Sequence, residues 1–207
     1  MKIVKAELRT DQYYQGVYQK RNIVLHHTVS STASSALTWW KMTPDRVGTA
    51  FVIDKDGTIY QAFDPKFWAH HLGLKTNRNL ELNRRSIGIE IVNEGPLKVV
   101  DDKAYWNFSP GKLGARYRGE RVQHPWRGYE WWAKYTPEQY AALNELIPAM
   151  LAQFNLKPTV YTGMDFNPVA PDRATIYSHR NVRQDKSDLS PAFDFELLTC
   201  LKTSVLV

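Results

Sequence analysis

The chain has 207 residues, 43% of them hydrophobic and 23% charged, with a formal net charge of +6. This length and balance suit one soluble globular domain with its own core, and exclude a fibrous or disordered chain. A single cysteine, Cys200, excludes an internal disulfide framework and a CxxC-type zinc ribbon. No run reaches the roughly eighteen apolar residues of a transmembrane helix. The N-terminal Met1-Lys2-Ile3-Val4-Lys5-Ala6-Glu7 interrupts its apolar residues with charges and lacks a signal-peptide h-region, so synthesis as a soluble cytoplasmic protein is expected. The positive charge suits an anionic partner (nucleic acid, an acidic membrane or a bacterial wall polymer) and equally suits an ordinary solvated surface. No block of like charges resembles a nucleic-acid arm and no nucleic-acid-binding motif is recognisable, so nucleic acid is not an expected partner.

Asn22-Ile23-Val24-Leu25-His26-His27 reads as a buried strand ending in two histidines. Strand neighbours point to opposite faces, so His26, and not His27, shares a face with Val24. The Ser/Thr-rich stretch from Thr28 to Ser35 can cap a short helix carrying Ala36, Leu37 and Trp40. Two apolar runs, Thr49 to Asp54 and Thr58 to Phe63, flank Lys55-Asp56-Gly57 and predict a hairpin, because glycine takes the positive φ such a turn needs. A loop through His70, His71 and Gly73 follows. Ser86-Ile87-Gly88-Ile89-Glu90-Ile91-Val92 is the clearest strand, with Ile87, Ile89 and Ile91 on one face and Gly88, Glu90 and Val92 on the other. A carboxylate in such surroundings costs free energy unless paired or used, which singles out Glu90.

From about residue 96 to 134 no clean period is visible. Tyr105, Trp106, Phe108, Tyr117, Trp126, Tyr129, Trp131 and Trp132 are interleaved with Arg116, Arg118, Arg121 and Arg127. An unstructured connection of this length is uncommon in a compact domain and is often functional. Thr136-Pro137-Glu138-Gln139 has the form of a helix start, with Thr136 at the N-cap, Pro137 at the first helical position and Gln139 closing a capping box. Tyr140, Leu143, Ile147, Leu151 and Phe154 continue at helical spacing, with a kink expected at Pro148 and a stop at Asn155. Thr159-Val160-Tyr161 is short and extended. Ala174-Thr175-Ile176-Tyr177 leads into Ser178-His179, and a polar loop then carries Lys186 and Asp188, one residue apart.

Strands, a hairpin and a long helix suggest an α/β layer structure, with His26, Glu90 and His179 on or at the ends of core strands, where sites assemble. Histidine and carboxylate are ligand types that a catalytic zinc accepts, and a neighbouring cation can stabilise an oxyanion. Each residue also has a plain reading: a hydrogen-bonded histidine, a loop-capping aspartate, an ion-paired glutamate or a solvated lysine.

Four segments together resemble the zinc-dependent N-acetylmuramoyl-L-alanine amidases of type 2, a family that includes bacterial amidases, phage endolysins and peptidoglycan-recognition proteins. They are Val24 to Thr28, Phe51 to Gln61, Ser86 to Glu90, and Ser178-His179 to Asp194, in the family's order over nearly the whole chain. The resemblance implies a single domain over residues 1–207, with a central mixed β-sheet flanked by helices and a zinc ion held by His26, His179 and Asp188. It places Lys186 where the family has an oxyanion-stabilising lysine and Glu90 where one branch has its catalytic glutamate. In another branch a tyrosine does that work, and the matching position here is Thr49. Ala50 departs from a histidine often found next in that strand. His71 matches the histidine of a tryptophan-histidine pair near the groove and is a candidate substrate contact. The aromatic and basic stretch at about 96–134 is read as a variable insertion packed on the domain, with a sugar-stacking lid as the alternative.

The implied reaction is hydrolysis of the amide between N-acetylmuramic acid and L-alanine of the stem peptide, with Glu90 as general base and acid. The implied partner is peptidoglycan or its muropeptides, met by a monomer, acting on the wall as an endolysin or on cytosolic muropeptides as a recycling enzyme. A peptidoglycan-binding receptor of the same fold without turnover is the alternative; such members typically lose a zinc ligand.

Overall fold

A computed structural model describes residues 2–107 and 113–201, and the backbone alone of 205 and 206. Phe108 lies outside the described residues. The strands of the main sheet are β1 (Ile3–Lys5), β2 (Asn22–His27), β3 (Phe51–Ile53), β4 (Ile59–Gln61) and β5 (Ser86–Ile91). A second group follows: β6 (Pro96–Val100), β7 (Lys103–Trp106), β8 (Arg116–Tyr117), β9 (Arg121–Trp126) and β10 (Tyr129–Ala133). The main sheet resumes with β11 (Val160–Tyr161), β12 (Ile176–Ser178) and β13 (Val205–Leu206). The helices are α1 (Ala33–Met42), α2 (Asn79–Arg85), α3 (Pro137–Gln153), α4 (Ala170–Arg173) and α5 (His179–Val182).

The eight-stranded sheet has the order β1-β4-β3-β5-β2-β12-β11-β13. It is mixed because β3 and β4 form the antiparallel hairpin expected around Asp56-Gly57, while the pairings of β5, β2 and β12 are parallel. Gly57 holds φ at +80°, and a Cβ there would come within 2.7 Å of the Glu138 carbonyl oxygen, so the turn also docks against the start of α3. Central strands buried on both faces carry apolar side chains in both directions. One face bears Ile23, Leu25, Ile87, Ile89 and Ile91, clustered with Leu143, Leu146 and Ile147 of α3. Each such side chain contributes about 1.5–3 kcal/mol relative to an exposed position. The other face carries a smaller cluster of Val24, Tyr177, Leu72, Leu82 of α2 and Val182 of α5. The functional residues stand on this thinner side.

Local signals set the helices. Thr32 caps α1 by accepting from the Ser35 amide, and Ala33, Leu37 and Trp40 form its buried stripe. Thr136 and Gln139 make the reciprocal capping box of α3, which runs through Pro148 to Gln153.

The segment read as aperiodic is a five-stranded antiparallel sheet, order β8-β7-β6-β10-β9. Its alternation was hidden because both faces are apolar. Leu97, Ala104, Tyr117 and Ala133 form a core of their own, whereas Trp132, Val122, Trp126 and Tyr129 join the main core. A register shift between Tyr129 and Trp131 breaks the period further. Two of the arginines stack on rings of the same unit, Arg121 5.1 Å over Trp131 and Arg127 4.6 Å over Trp126.

Candidate active site

Parallel pairing of β2 with β5 sets His26 opposite Glu90 and His27 opposite Ile91. On its other side β2 pairs with β12, whose end delivers His179 as the first residue of α5. Ser178 fixes that transition: its amide and hydroxyl both donate to Asn181 Oδ1, at 2.9 and 2.6 Å. The following loop returns because the Arg180 amide donates to the Asp188 carbonyl at 2.6 Å and the Arg180 guanidinium to that of Leu189. Asp188 thereby arrives beside His179.

Three donor atoms converge there. His26 Nδ1 lies 3.1 Å from His179 Nδ1 and 3.2 Å from Asp188 Oδ2, and His179 Nδ1 lies 3.0 Å from the same oxygen. All three side chains are buried. The hydrogen-bond network assigns the tautomers. His179 Nε2 lies 2.7 Å from the Leu72 carbonyl, which can only accept, so the proton sits on Nε2 and a neutral ring turns its Nδ1 lone pair inward. Ser86 donates its hydroxyl proton to the Leu82 carbonyl at 2.6 Å, so it accepts from His71 Nε2 at 2.9 Å. His71 Nδ1 then accepts from His26 Nε2 at 2.9 Å, and the His26 Nδ1 lone pair also turns inward. Burial, followed by the neighbouring His179, lowers His26 to about 4, and burial with His26 alongside holds His71 well below the ordinary histidine range.

With both rings neutral, two imidazole lone pairs and a carboxylate face one another, an arrangement that a cation stabilises. A tetrahedral ion with nitrogen and oxygen ligands at about 2.0–2.2 Å separates its donors by roughly 3.3 Å, close to the spacings found. The donor set therefore fits a zinc-type centre with a remaining open position.

The cluster lies in a cleft of about 480 Å³ that Glu90 and Lys186 also line. Burial, reinforced by the charge of Asp188 and opposed by that of Lys186, pushes Glu90 up to about 8. At the rim, Trp39 is 56% exposed. Thr49 donates its hydroxyl to the Phe51 carbonyl at 2.8 Å.

Of the residues expected from sequence, His26, His179 and Asp188 meet in one cluster, and Glu90, Lys186 and His71 line the same cleft. Both ring nitrogens of His71 are engaged within the protein, Nδ1 with His26 and Nε2 with Ser86. Sequence reading missed the supports. Asn83 Oδ1 accepts from the amides of His71 and Leu72, and buried Lys20 donates to the carbonyls of Phe67, Arg84 and Ser86. Ser86 was legible in principle, because Ser86, Gly88 and Glu90 alternate with the isoleucines. Gly88 is required for space, since a Cβ there would lie 2.6 Å from Thr49 Cγ2 and 3.3 Å from the His71 ring.

No curated protein matches the chain by sequence. Among solved structures, the N-acetylmuramoyl-L-alanine amidase LysC from Clostridium intestinale URNW is 18% identical with a TM-score of 0.53, over 99% of each chain. A mutant endolysin from Bacillus subtilis is 17% identical with a TM-score of 0.55, covering 97% of this chain and 98% of its own. AmiD from E. coli, in complex with anhydro-N-acetylmuramic acid-L-Ala-D-gamma-Glu-L-Lys, is 18% identical with a TM-score of 0.58, over 92% of this chain and 60% of that one. Among the described residues no helix is long and apolar enough to cross a membrane. The profile of the N-acetylmuramoyl-L-alanine amidase family matches residues 17–191, and the chain belongs to that family of peptidoglycan amidases.

Proposed function

We propose that the protein is a zinc-dependent amidase that cuts between the lactyl group of N-acetylmuramic acid and L-alanine of the stem peptide. The observation that carries this reading is the convergence of His26 Nδ1, His179 Nδ1 and Asp188 Oδ2, within 3.0–3.2 Å, with both imidazole lone pairs turned inward. These residues would hold the metal, which supplies Lewis acidity toward water and the scissile carbonyl. Glu90 takes a proton from the attacking water and returns it to the leaving amine. In the metal-free protein, burial and the charge of Asp188 raise its pKa to about 8. Lys186, on the loop between His179 and Asp188, offers its ammonium to the developing oxyanion. Exposed Trp39 at the cleft rim offers an apolar face to the substrate. The anhydro-N-acetylmuramic acid-L-Ala-D-gamma-Glu-L-Lys substrate held by AmiD supports a ligand of this class. We read the five-stranded sheet as an elaboration of the amidase core that braces the Lys186 loop, since Arg127 donates to the Gln184 carbonyl.

Mass spectrometry of digested sacculi tests the reaction. Wild-type protein should release new amino termini without new reducing sugar ends, and Glu90→Gln should release neither. New reducing ends would overturn the amidase assignment, and tight binding of wall fragments by zinc-loaded protein without cleavage would favour a receptor.

A further inference from the structure

We propose that His71, itself set by Ser86, is a positioning residue that fixes His26 in the tautomer presenting Nδ1 to the metal. The inference rests on the metal-site reading above and adds residues that are not ligands. Its basis is the direction of a hydrogen-bond chain. The Leu82 carbonyl takes the only Ser86 hydroxyl proton, Ser86 Oγ therefore accepts from His71 Nε2, and His71 Nδ1 accepts from His26 Nε2. Each link lies between 2.6 and 2.9 Å. A backbone carbonyl, which cannot reverse its role, anchors the far end. The Leu72 carbonyl does the same for His179 in a single step. The two histidines thus reach the same orientation by different routes, one directly and one relayed through two side chains.

The relay is built into the fold. The His71 amide donates to Asn83 Oδ1 at 2.8 Å, which holds its loop against α2. Lys20 Nζ ties the Phe67 carbonyl, just before that loop, to the Ser86 carbonyl at the start of β5. Gly88, between Ser86 and Glu90, leaves the room that the His71 ring fills. Partners of metal-bound histidines typically change metal affinity by about 10–100-fold when removed. The predicted roles are specific. Phenylalanine at position 71 fills the space but cannot accept from His26. Glutamine can accept through its oxygen and donate to Ser86 through its amide.

The test measures zinc affinity by chelator competition, together with the tautomer of His26 in metal-free protein by long-range 1H–15N correlation. Wild-type protein should bind one zinc and His26→Ala none; if wild type binds no zinc, the metal-site reading itself fails. Given wild-type binding, His71→Phe should weaken affinity about 10–100-fold and move His26 from a pure Nε2–H form to a mixture with Nδ1–H. His71→Gln should recover affinity to within about threefold and restore the Nε2–H form, because it keeps both hydrogen bonds. Ser86→Ala should give a smaller loss with a mixed tautomer, and serves as the decisive variant if His71→Phe does not fold. Unchanged affinity and an unchanged His26 tautomer in the folded Phe or Ala variant would overturn the proposal.

Discussion

His26 and His27 are adjacent on β2, are 3% and 4% exposed, and are both lowered to about 4, chiefly by burial. Their surroundings divide them. His26 projects to the thin side of the sheet, toward His179, Asp188 and the cleft. His27 projects to the other side, where its Nδ1 lies 2.9 Å from the Tyr135 hydroxyl and its Nε2 has no hydrogen-bond partner among the described residues. Gly95 packs against that nitrogen, and a Cβ there would come within 3.3 Å of it. Residue type, burial and pKa therefore do not mark a ligand. What marks it is a second and a third donor aimed at the same point.

The largest effect that can break this comparison is loss of the His26 donor. His26→Ala should abolish stoichiometric zinc binding and lower amidase turnover by at least about a thousandfold, on the order of a lost metal centre. His27→Asn should keep one zinc per chain and cost about 1–2 kcal/mol of stability through its Tyr135 partner. Metal analysis and denaturant unfolding of the pair check both, and equal metal loss in the two variants would erase the distinction drawn between the faces.

Next in size is Glu90→Gln, expected to lower turnover by about 10²–10⁴-fold with zinc content unchanged. The same variant has a signature in metal-free protein. Because the folded pKa of Glu90 is raised from 4.5 to about 8, the fold favours the protonated acid. That contribution is intact below 4.5 and is lost as pH rises through 8. The stability difference between Glu90→Gln and wild type should thus grow from near zero in acid by at most about 1.4 kcal/mol per pH unit across this range. A difference that stays flat with pH would contradict the burial assigned to Glu90.

Lys186→Met should leave metal affinity within a few-fold and reduce kcat by about 10²-fold, the usual cost of losing an oxyanion partner. Steady-state kinetics separate this from a KM effect. The smallest effect is expected at Arg127, whose bond to the Gln184 carbonyl braces the Lys186 loop from the small sheet. Arg127→Ala should lower kcat by about 3–10-fold, equivalent to one hydrogen bond, without changing zinc content. A wild-type rate would show that the small sheet does not steady that loop.

Much of the core was legible because its signals are local. Asp56-Gly57 between apolar runs predicts the β3–β4 hairpin, and Thr136, Pro137 and Gln139 predict the start of α3. Alternation along Ser86 to Ile91 put Glu90 on the face opposite the isoleucines, and the structure keeps it there. The small sheet was not legible, since apolar residues on both faces and a register shift leave no period to read. The roles of Asn83 and Lys20 were equally hidden, because an asparagine or a lysine has many uses until its partner is known.

The sequence by itself determined the strands that carry His26 and Glu90, the helix that backs them, and, through its four ordered segments, the family. Those follow from periodicity, capping and turn chemistry, which act over a few residues. The tertiary structure alone decided that His26 and His179, 153 positions apart, bring their Nδ1 atoms to 3.1 Å. It also decided which nitrogen each ring presents, because a tautomer is set by the partner of the opposite nitrogen. For these two rings that partner comes from the loop carrying His71 and Leu72, which only folding brings to the sheet.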